Sequence, residues 1–229
     1  MKSITSYAGR CAVLAAACLW VGSINSSFAQ ATGTAAEAPA ATAGDIVGKL
    51  HKGGYVVYIR HTQTDSATKD AGDLSNMSDC SKQRILSKEG QESAVKLGEA
   101  FKAVKIPVQA VVTSQFCRAK ETAKLMGFDK ATENADLNND SGEPAVNKDE
   151  SERRGAALRK LLAVAPAAGK NTVIIGHVPN LKTAAGIDFA NVKEGEFVVF
   201  APKQGEPGFE AVGRVTPDAL HKLAQTASK

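Results

Sequence analysis

The chain has 229 residues, with 28 Lys and Arg against 24 Asp and Glu for a formal net charge of +4. That length suffices for one domain with a sizeable core. The small basic excess is not gathered into a Lys/Arg run, which excludes a nucleic-acid face.

Lys2 and Arg10 form a positive n-region, Cys11 to Val21 is an uninterrupted apolar run, and Ser27-Phe28-Ala29 puts small residues where a signal peptidase reads. The run is too short to span a bilayer. Residues 1–29 are therefore expected to be a cleaved secretory signal, with cleavage after Ala31 as the second option, leaving no transmembrane segment and a periplasmic or secreted protein. Cleavage after Ala29 leaves 26 basic and 24 acidic residues and removes Trp20, Cys11 and Cys18. Residues 30–43, rich in Ala, Thr, Gly and Pro with Glu37 as the one charge, read as a flexible tether to a single domain over 44–229.

Asp45 to His51 reads as a short helix feeding a strand at Tyr55–Ile59, whose apolar run ends in Arg60-His61-Thr62-Gln63-Thr64. Residues 62–86 are polar and without period, a long functional loop. Ser87 is placed to cap a helix to about Val104, with Ala94, Leu97, Ala100, Phe101 and Val104 on one face. A strand at Gln109–Thr113 leads into a helix from Cys117 to Met126 that Gly127 stops. Ala131–Leu137 is read as a short third strand, 138–147 as loop, and Asp149 to Val164 as a helix. Thr172–Gly176 is the next strand, Pro179 opens a short helix at its first position, and Glu196–Phe200 pairs with Phe209–Val215 across a Gly-rich turn. Alternating strands and helices argue a layered α/β sheet, made mixed by the terminal hairpin.

A strand that ends in a guanidinium and an imidazole delivers them to the crevice where open α/β sheets hold ligands. Arg118 follows at the start of a helix, and His177 at the end of Val173-Ile174-Ile175-Gly176. Two guanidiniums and two imidazoles so placed are chemistry for holding and attacking a phosphate ester. Export would put Cys80 and Cys117 in an oxidising compartment, and the two have one possible intramolecular pairing. A bridge between them would pin the 62–86 loop over this site; two independent buried thiols are the alternative.

Through these residues the chain resembles the histidine phosphatase superfamily, also called the phosphoglycerate mutase-like group. Its Arg-His-Gly strand end followed by Thr is met by Arg60-His61-Thr62-Gln63-Thr64, with Thr62 in place of Gly. Thr113-Ser114, then Arg118-Ala119 and Thr122-Ala123, match its second motif, and Gly176-His177 its third. The resemblance implies a three-layer α/β/α fold around a mostly parallel, mixed sheet, and a mechanism that needs no cofactor and no metal. His61 would be the nucleophile that forms a phosphohistidine, Arg60 and Arg118 the phosphate-binding pair, and His177, in its charged form, the stabiliser of developing charge. Thr62, Gln63 and Thr64 would add substrate hydrogen bonds; the Thr62 N–H would face phosphate while its β-branched side chain narrowed the pocket. Many members carry a Glu in a Leu-x-Glu context after the third strand, but Leu137-Asn138-Asn139 puts Asn139 there. The other branch has Asp after its second His, where Val178 stands. The proton donor is therefore unassigned, with Asp65, Asp140 and Glu143 as candidates near in sequence.

No His-Glu-x-x-His or Cys-x-x-Cys spacing supports a metal site. Gly169-Lys170 runs into Asn171 rather than completing a P-loop, and no Gly-x-Ser-x-Gly elbow occurs. His51 and His221 match nothing and are read as surface residues. The resulting expectation is an exported phosphomonoesterase acting through a phosphohistidine on a phosphorylated small molecule or an envelope glycan or lipid. The alternative is a phosphate-ester-binding module of the same fold with little or no turnover.

Overall fold

The computed structural model describes residues 41–140 and 146–227. The expected signal over 1–29, most of the expected tether and Glu143 lie outside the described residues. Within that tether, Thr42 and Asp45 form a reciprocal capping box that starts α1 (Ala43–Lys52).

Six strands follow: β1 (Val56–Arg60), β2 (Val108–Thr113), β3 (Thr132–Glu133), β4 (Asn171–Gly176), β5 (Phe197–Pro202) and β6 (Phe209–Val215). They form one sheet in the order β3-β2-β4-β1-β5-β6; β3, β2, β4 and β1 run parallel, and β5 pairs antiparallel with both β1 and β6. The remaining helices are α2 (Lys88–Ala103), α3 (Cys117–Leu125), α4 (Lys148–Ala163), α5 (Val178–Ala185) and α6 (Pro217–Ala227). None is long and apolar enough to cross a membrane.

Strand alternation divides the core. Val57 and Ile59 of β1, with Val173 and Ile175 of β4, face a cluster shared with α1, α2, α3 and α6. Val56, Tyr58 and Ile174 face the opposite cluster with Leu158 and Leu162 of α4 and Leu181 of α5. Both faces of the parallel strands are therefore buried, which is why β1 and β4 read as nearly continuous apolar runs. The result is the expected three-layer α/β/α fold.

Three local expectations need correction. The third strand is two residues long, because the Asn134 side chain accepts the Asp136 N–H at 2.8 Å and turns Ala135–Leu137 into a 3₁₀ segment. Pro179 is the second rather than the first residue of α5. The C-terminal helix α6 was not anticipated, although Thr216 capping the Ala219 N–H at 3.2 Å, with Pro217 just inside, is an ordinary helix start.

The 62–86 loop has no strand or α-helix of its own, apart from one bridge between Thr64 and Leu86 and a 3₁₀ turn at Cys80–Lys82. It is held by the Cys80–Cys117 disulfide, as expected, and by the Gln83 side chain, which accepts the Cys117 N–H at 2.8 Å and donates to the Met77 carbonyl at 2.9 Å. The bridge links residues 37 positions apart, and loop-closure entropy for that length is worth about 4 kcal/mol. Replacing both cysteines by Ala should lower the unfolding free energy by roughly 2–4 kcal/mol. Urea titration of the variant beside the wild type checks this; an unchanged midpoint would show that the bridge does not stabilise the fold.

Candidate active site

Sheet register brings the motifs together. β1 and β4 are neighbours with Arg60 opposite Gly176, so the residues that follow, His61 and His177, emerge side by side with ring centroids 5.2 Å apart. β2 lies on the other side of β4 with Thr113 opposite Ile175, which brings the Ser114 hydroxyl to 2.8 Å from His177 Nε2.

The position of His177 is fixed from below. The Tyr58 hydroxyl accepts the His177 N–H and donates to the His177 carbonyl, both at 2.9 Å. Burial raises the Tyr58 phenol above its usual value, so it remains a protonated donor. A Cβ at position 176 would collide with this hydroxyl, so the Gly of the Gly-His motif is required by close approach rather than by a turn.

His61 is 2% exposed, and its Nδ1 lies 2.8 Å from the Thr62 carbonyl. A carbonyl only accepts, so Nδ1 carries the ring proton and Nε2 keeps its lone pair. Burial, then the nearby Arg118 charge, push the His61 pKa down to about 3. His177 lies well below its ordinary value for the same leading reasons. Burial and the neighbouring cations therefore favour the neutral form of both imidazoles in the free site. An arriving phosphate dianion would supply the negative charge that favours protonation of His177.

The two arginines stand where the motifs place them. Arg60 donates through Nη1 to the Val192 carbonyl at 2.8 Å and pairs through Nη2 with Glu194 at 3.3 Å. Arg118 is completely buried, with its guanidinium carbon 4.2 Å above the centre of the Phe116 ring. Asp70 receives its Nη1 and Nη2 at 2.9 and 3.2 Å, and Nη1 also reaches the Arg84 carbonyl at 3.3 Å. Desolvation by burial lowers the pKa of both guanidiniums from the usual value.

Thr62 differs from expectation. Its N–H donates to the Thr122 hydroxyl at 3.2 Å, which itself donates to the Arg118 carbonyl at 2.7 Å. That N–H is thus used to tie β1's end to α3 and is not turned toward an anion. Lys105 is the single non-glycine residue with positive φ among the described residues, so Thr replaces Gly here without backbone strain. Gln63 has a buried Oε1 with no partner, and its carbonyl occupies the space a side chain at Gly90 would need. The Thr64 hydroxyl donates to Glu194 at 3.3 Å.

The acid candidates are elsewhere engaged. Asp65 accepts the Ala67 N–H at 2.8 Å and shapes a turn. Asp140, with its pKa raised by burial, is bound by Ser151 at 3.0 Å and Arg154 at 3.2 Å. His51 is exposed and donates to the Val104 carbonyl at 2.6 Å, and His221 is half-buried on α6. Among the described residues no cluster of three or more His, Cys, Asp or Glu is arranged to hold a metal.

Sequence reasoning missed Asp70, Arg84 and Glu194. Arg84 acts electrostatically on Arg60, His61, Arg118 and His177 alike. Its one sequence signal is being the lone arginine of the long loop.

Residues 56–177 match the family model described as the histidine phosphatase superfamily (branch 1). No curated protein sequence matches the chain. Among solved structures, the phosphoserine phosphatase of Entamoeba histolytica in complex with 3-phosphoglyceric acid is 15% identical with a TM-score of 0.51, covering 72% of this chain and 98% of its own. The protein histidine phosphatase SixA complexed with tungstate is 17% identical with a TM-score of 0.48, covering 72% of this chain and 99% of its own. A mycobacterial glucosyl-3-phosphoglycerate phosphatase is 15% identical with a TM-score of 0.48, covering 69% and 95%.

The neutral histidines generate a pH prediction. Both titrate lower in the fold than in the unfolded chain, where the value is about 6.5. Below that pH the unfolded chain takes up protons that the fold refuses. The stabilisation is therefore present above about pH 6.5 and lost as the pH falls toward the folded value. His61 should account for roughly 1–2 kcal/mol of lost stability between about pH 7 and pH 5, and His177 for a loss of the same sign. Urea unfolding at both pH values should give a shallower dependence for His61→Asn than for wild type; equal slopes would mean that His61 is protonated in the fold.

Proposed function

Because this chain belongs to the histidine phosphatase superfamily, we propose that it is an exported phosphomonoesterase that works through a phosphohistidine on His61. The observation that carries this reading is the 2.8 Å contact of His61 Nδ1 with the Thr62 carbonyl, which implies a proton on Nδ1 and leaves Nε2 with its lone pair, in a ring 5.2 Å from that of His177 and under the field of the arginines. The Nε2 lone pair attacks phosphorus as the ester P–O bond breaks, and the leaving alkoxide takes up a proton and departs as the alcohol. Water then attacks the phosphohistidine, the P–N bond returns its electrons to Nε2, and inorganic phosphate leaves with the water's oxygen. Arg60 and Arg118 hold the equatorial oxygens through the transition state, and His177, which takes up a proton from solvent water as the dianion binds, stabilises the developing charge; the alkoxide is protonated by solvent water.

Asp65 and Asp140 are bound to other partners, so the reading assigns them no acid role. Esters with good leaving groups, which need no proton in the transition state, are then the expected substrates. A small or envelope-associated phosphate ester fits the signal-like residues 1–29. One observation favours the second reading, a phosphate-ester-binding module: Asn139, which cannot release a proton, stands where the resemblance places a Glu.

Rapid quench with a labelled aryl phosphate separates the two. Wild type should trap label in an acid-labile, base-stable phosphoramidate, His61→Ala should lose nearly all turnover, and Arg118→Ala should cost about 3–4 kcal/mol of transition-state stabilisation. Activity that survives His61→Ala, or label on another residue, would refute the mechanism; binding without turnover in the wild type would establish the module. The export component is checked by mass analysis of secreted protein, which should begin at Gln30 or Thr32 and contain no Trp.

A further inference from the structure

We propose that Arg84 is a third phosphate-binding residue, and that it and Arg118 present their free Nε edges to the same phosphoryl group. The inference rests on the phosphatase reading above and adds to it a residue outside the three motifs.

The case begins with how Arg118 is used. Its Nη1 serves Asp70 and the Arg84 carbonyl, and its Nη2 serves Asp70, so the end of the guanidinium is fully engaged. Its Nε is buried and has no partner. What remains is the lateral edge, Nε–H with the second Nη2 hydrogen, a fork spaced to receive two oxygens of a phosphate. Asp70 thereby acts as a positioning residue: it holds one edge of the guanidinium and leaves the other free.

Arg84 presents the same pattern more strongly. Its backbone makes the structural contacts, with N–H to Asp70 Oδ1 at 2.9 Å and the carbonyl to Arg118. Its half-buried guanidinium has no hydrogen bond or ion pair among the described residues, and its Nε is buried without a partner. Its backbone carbonyl touches the Arg118 guanidinium, and this unpaired cation acts electrostatically on Arg60, His61, Arg118 and His177. Like charges collected without a counter-ion are unfavourable at rest. The carboxylates that pair within the cluster, Asp70 with Arg118 and Glu194 with Arg60, leave one positive charge over, and it is Arg84's. A bound anion supplies both the missing acceptor for two buried Nε donors and the missing charge.

Because the structural contacts of Arg84 are made by its backbone, side-chain substitutions should leave the loop intact. Inorganic phosphate is the probe, measured by calorimetry on the oxidised protein. Arg84→Ala should weaken phosphate binding about ten- to hundredfold, the scale of one charged hydrogen-bonding group, and Arg84→Lys should weaken it less. With an aryl phosphate, Arg84→Ala should raise KM by more than it lowers kcat. In the wild type, the Arg84 Nε–H resonance, assigned by its loss in Arg84→Lys, should move on saturation with phosphate. Phosphate affinity unchanged or increased in Arg84→Ala, or an unmoved Nε–H resonance in wild type that does bind phosphate, would overturn the inference while leaving the phosphatase reading standing. Wild type that neither binds phosphate nor turns over ester would overturn both.

Discussion

The site depends on one hydroxyl. Tyr58 projects from β1 beneath the end of β4 and bonds to both the N–H and the carbonyl of His177. The parallel register already brings Arg60 opposite Gly176, but register alone fixes strands, not the residue one step beyond them. A buried phenol that satisfies two backbone groups of that residue does. It also explains the glycine before His177, since any side chain there would meet the hydroxyl. The backbone of His177 is thus fixed beside His61, with the two rings edge to face, which is the preorganisation the proposed two-step transfer needs.

Around that scaffold the electrostatics are deliberately unbalanced. Arg60, Arg84 and Arg118 crowd two imidazoles, and burial together with these charges keeps both rings neutral. For the nucleophile neutrality is useful, because only the unprotonated nitrogen attacks. For His177 it reads as a resting state, reversed when a dianion enters and the local potential changes sign. On the proposed mechanism the same charges keep His61 unprotonated before binding, and Arg60 and Arg118 hold the transferring oxygens afterwards, so no separate device is needed for either task.

What could be read from the chain follows from how local each feature is. Strand ends at Arg60-His61 and Gly176-His177 were legible because buried parallel strands leave long apolar runs that stop abruptly. The Ser87 cap and the Ala94-Leu97-Phe101 face of α2 were legible from helical spacing. The partners of the arginines were not, because Asp70, Arg84 and Glu194 reach them through a folded loop and a segment more than 130 positions away. Thr62 was misread for a similar reason. Its N–H is claimed by Thr122, sixty residues on, and nothing local announces that claim. The third strand is shorter than its apolar pattern suggests because Asn134 turns the chain, whereas α6, which has both a Thr216 cap and apolar spacing at Leu220 and Ala224, was legible and is missing from the sequence reading.

The loop and the sheet divide the work in a way that bears on the disulfide. The sheet supplies the two histidines and Arg60 from rigid strand ends, whereas Asp70 and Arg84 come from a long segment with almost no regular structure. Such a segment loses much conformational entropy when ordered, and its own contacts are few. Cys80 and Cys117 join it, four residues ahead of Arg84, to the residue immediately before Arg118, and Asp70 both pairs with Arg118 and accepts the Arg84 N–H. The bridge is thus placed to hold an unpaired cation against other cations in the absence of an anion. On the proposed export, this tether would form where thiols oxidise, which would make the loop's contribution to the proposed phosphate site depend on the compartment as well as on the fold.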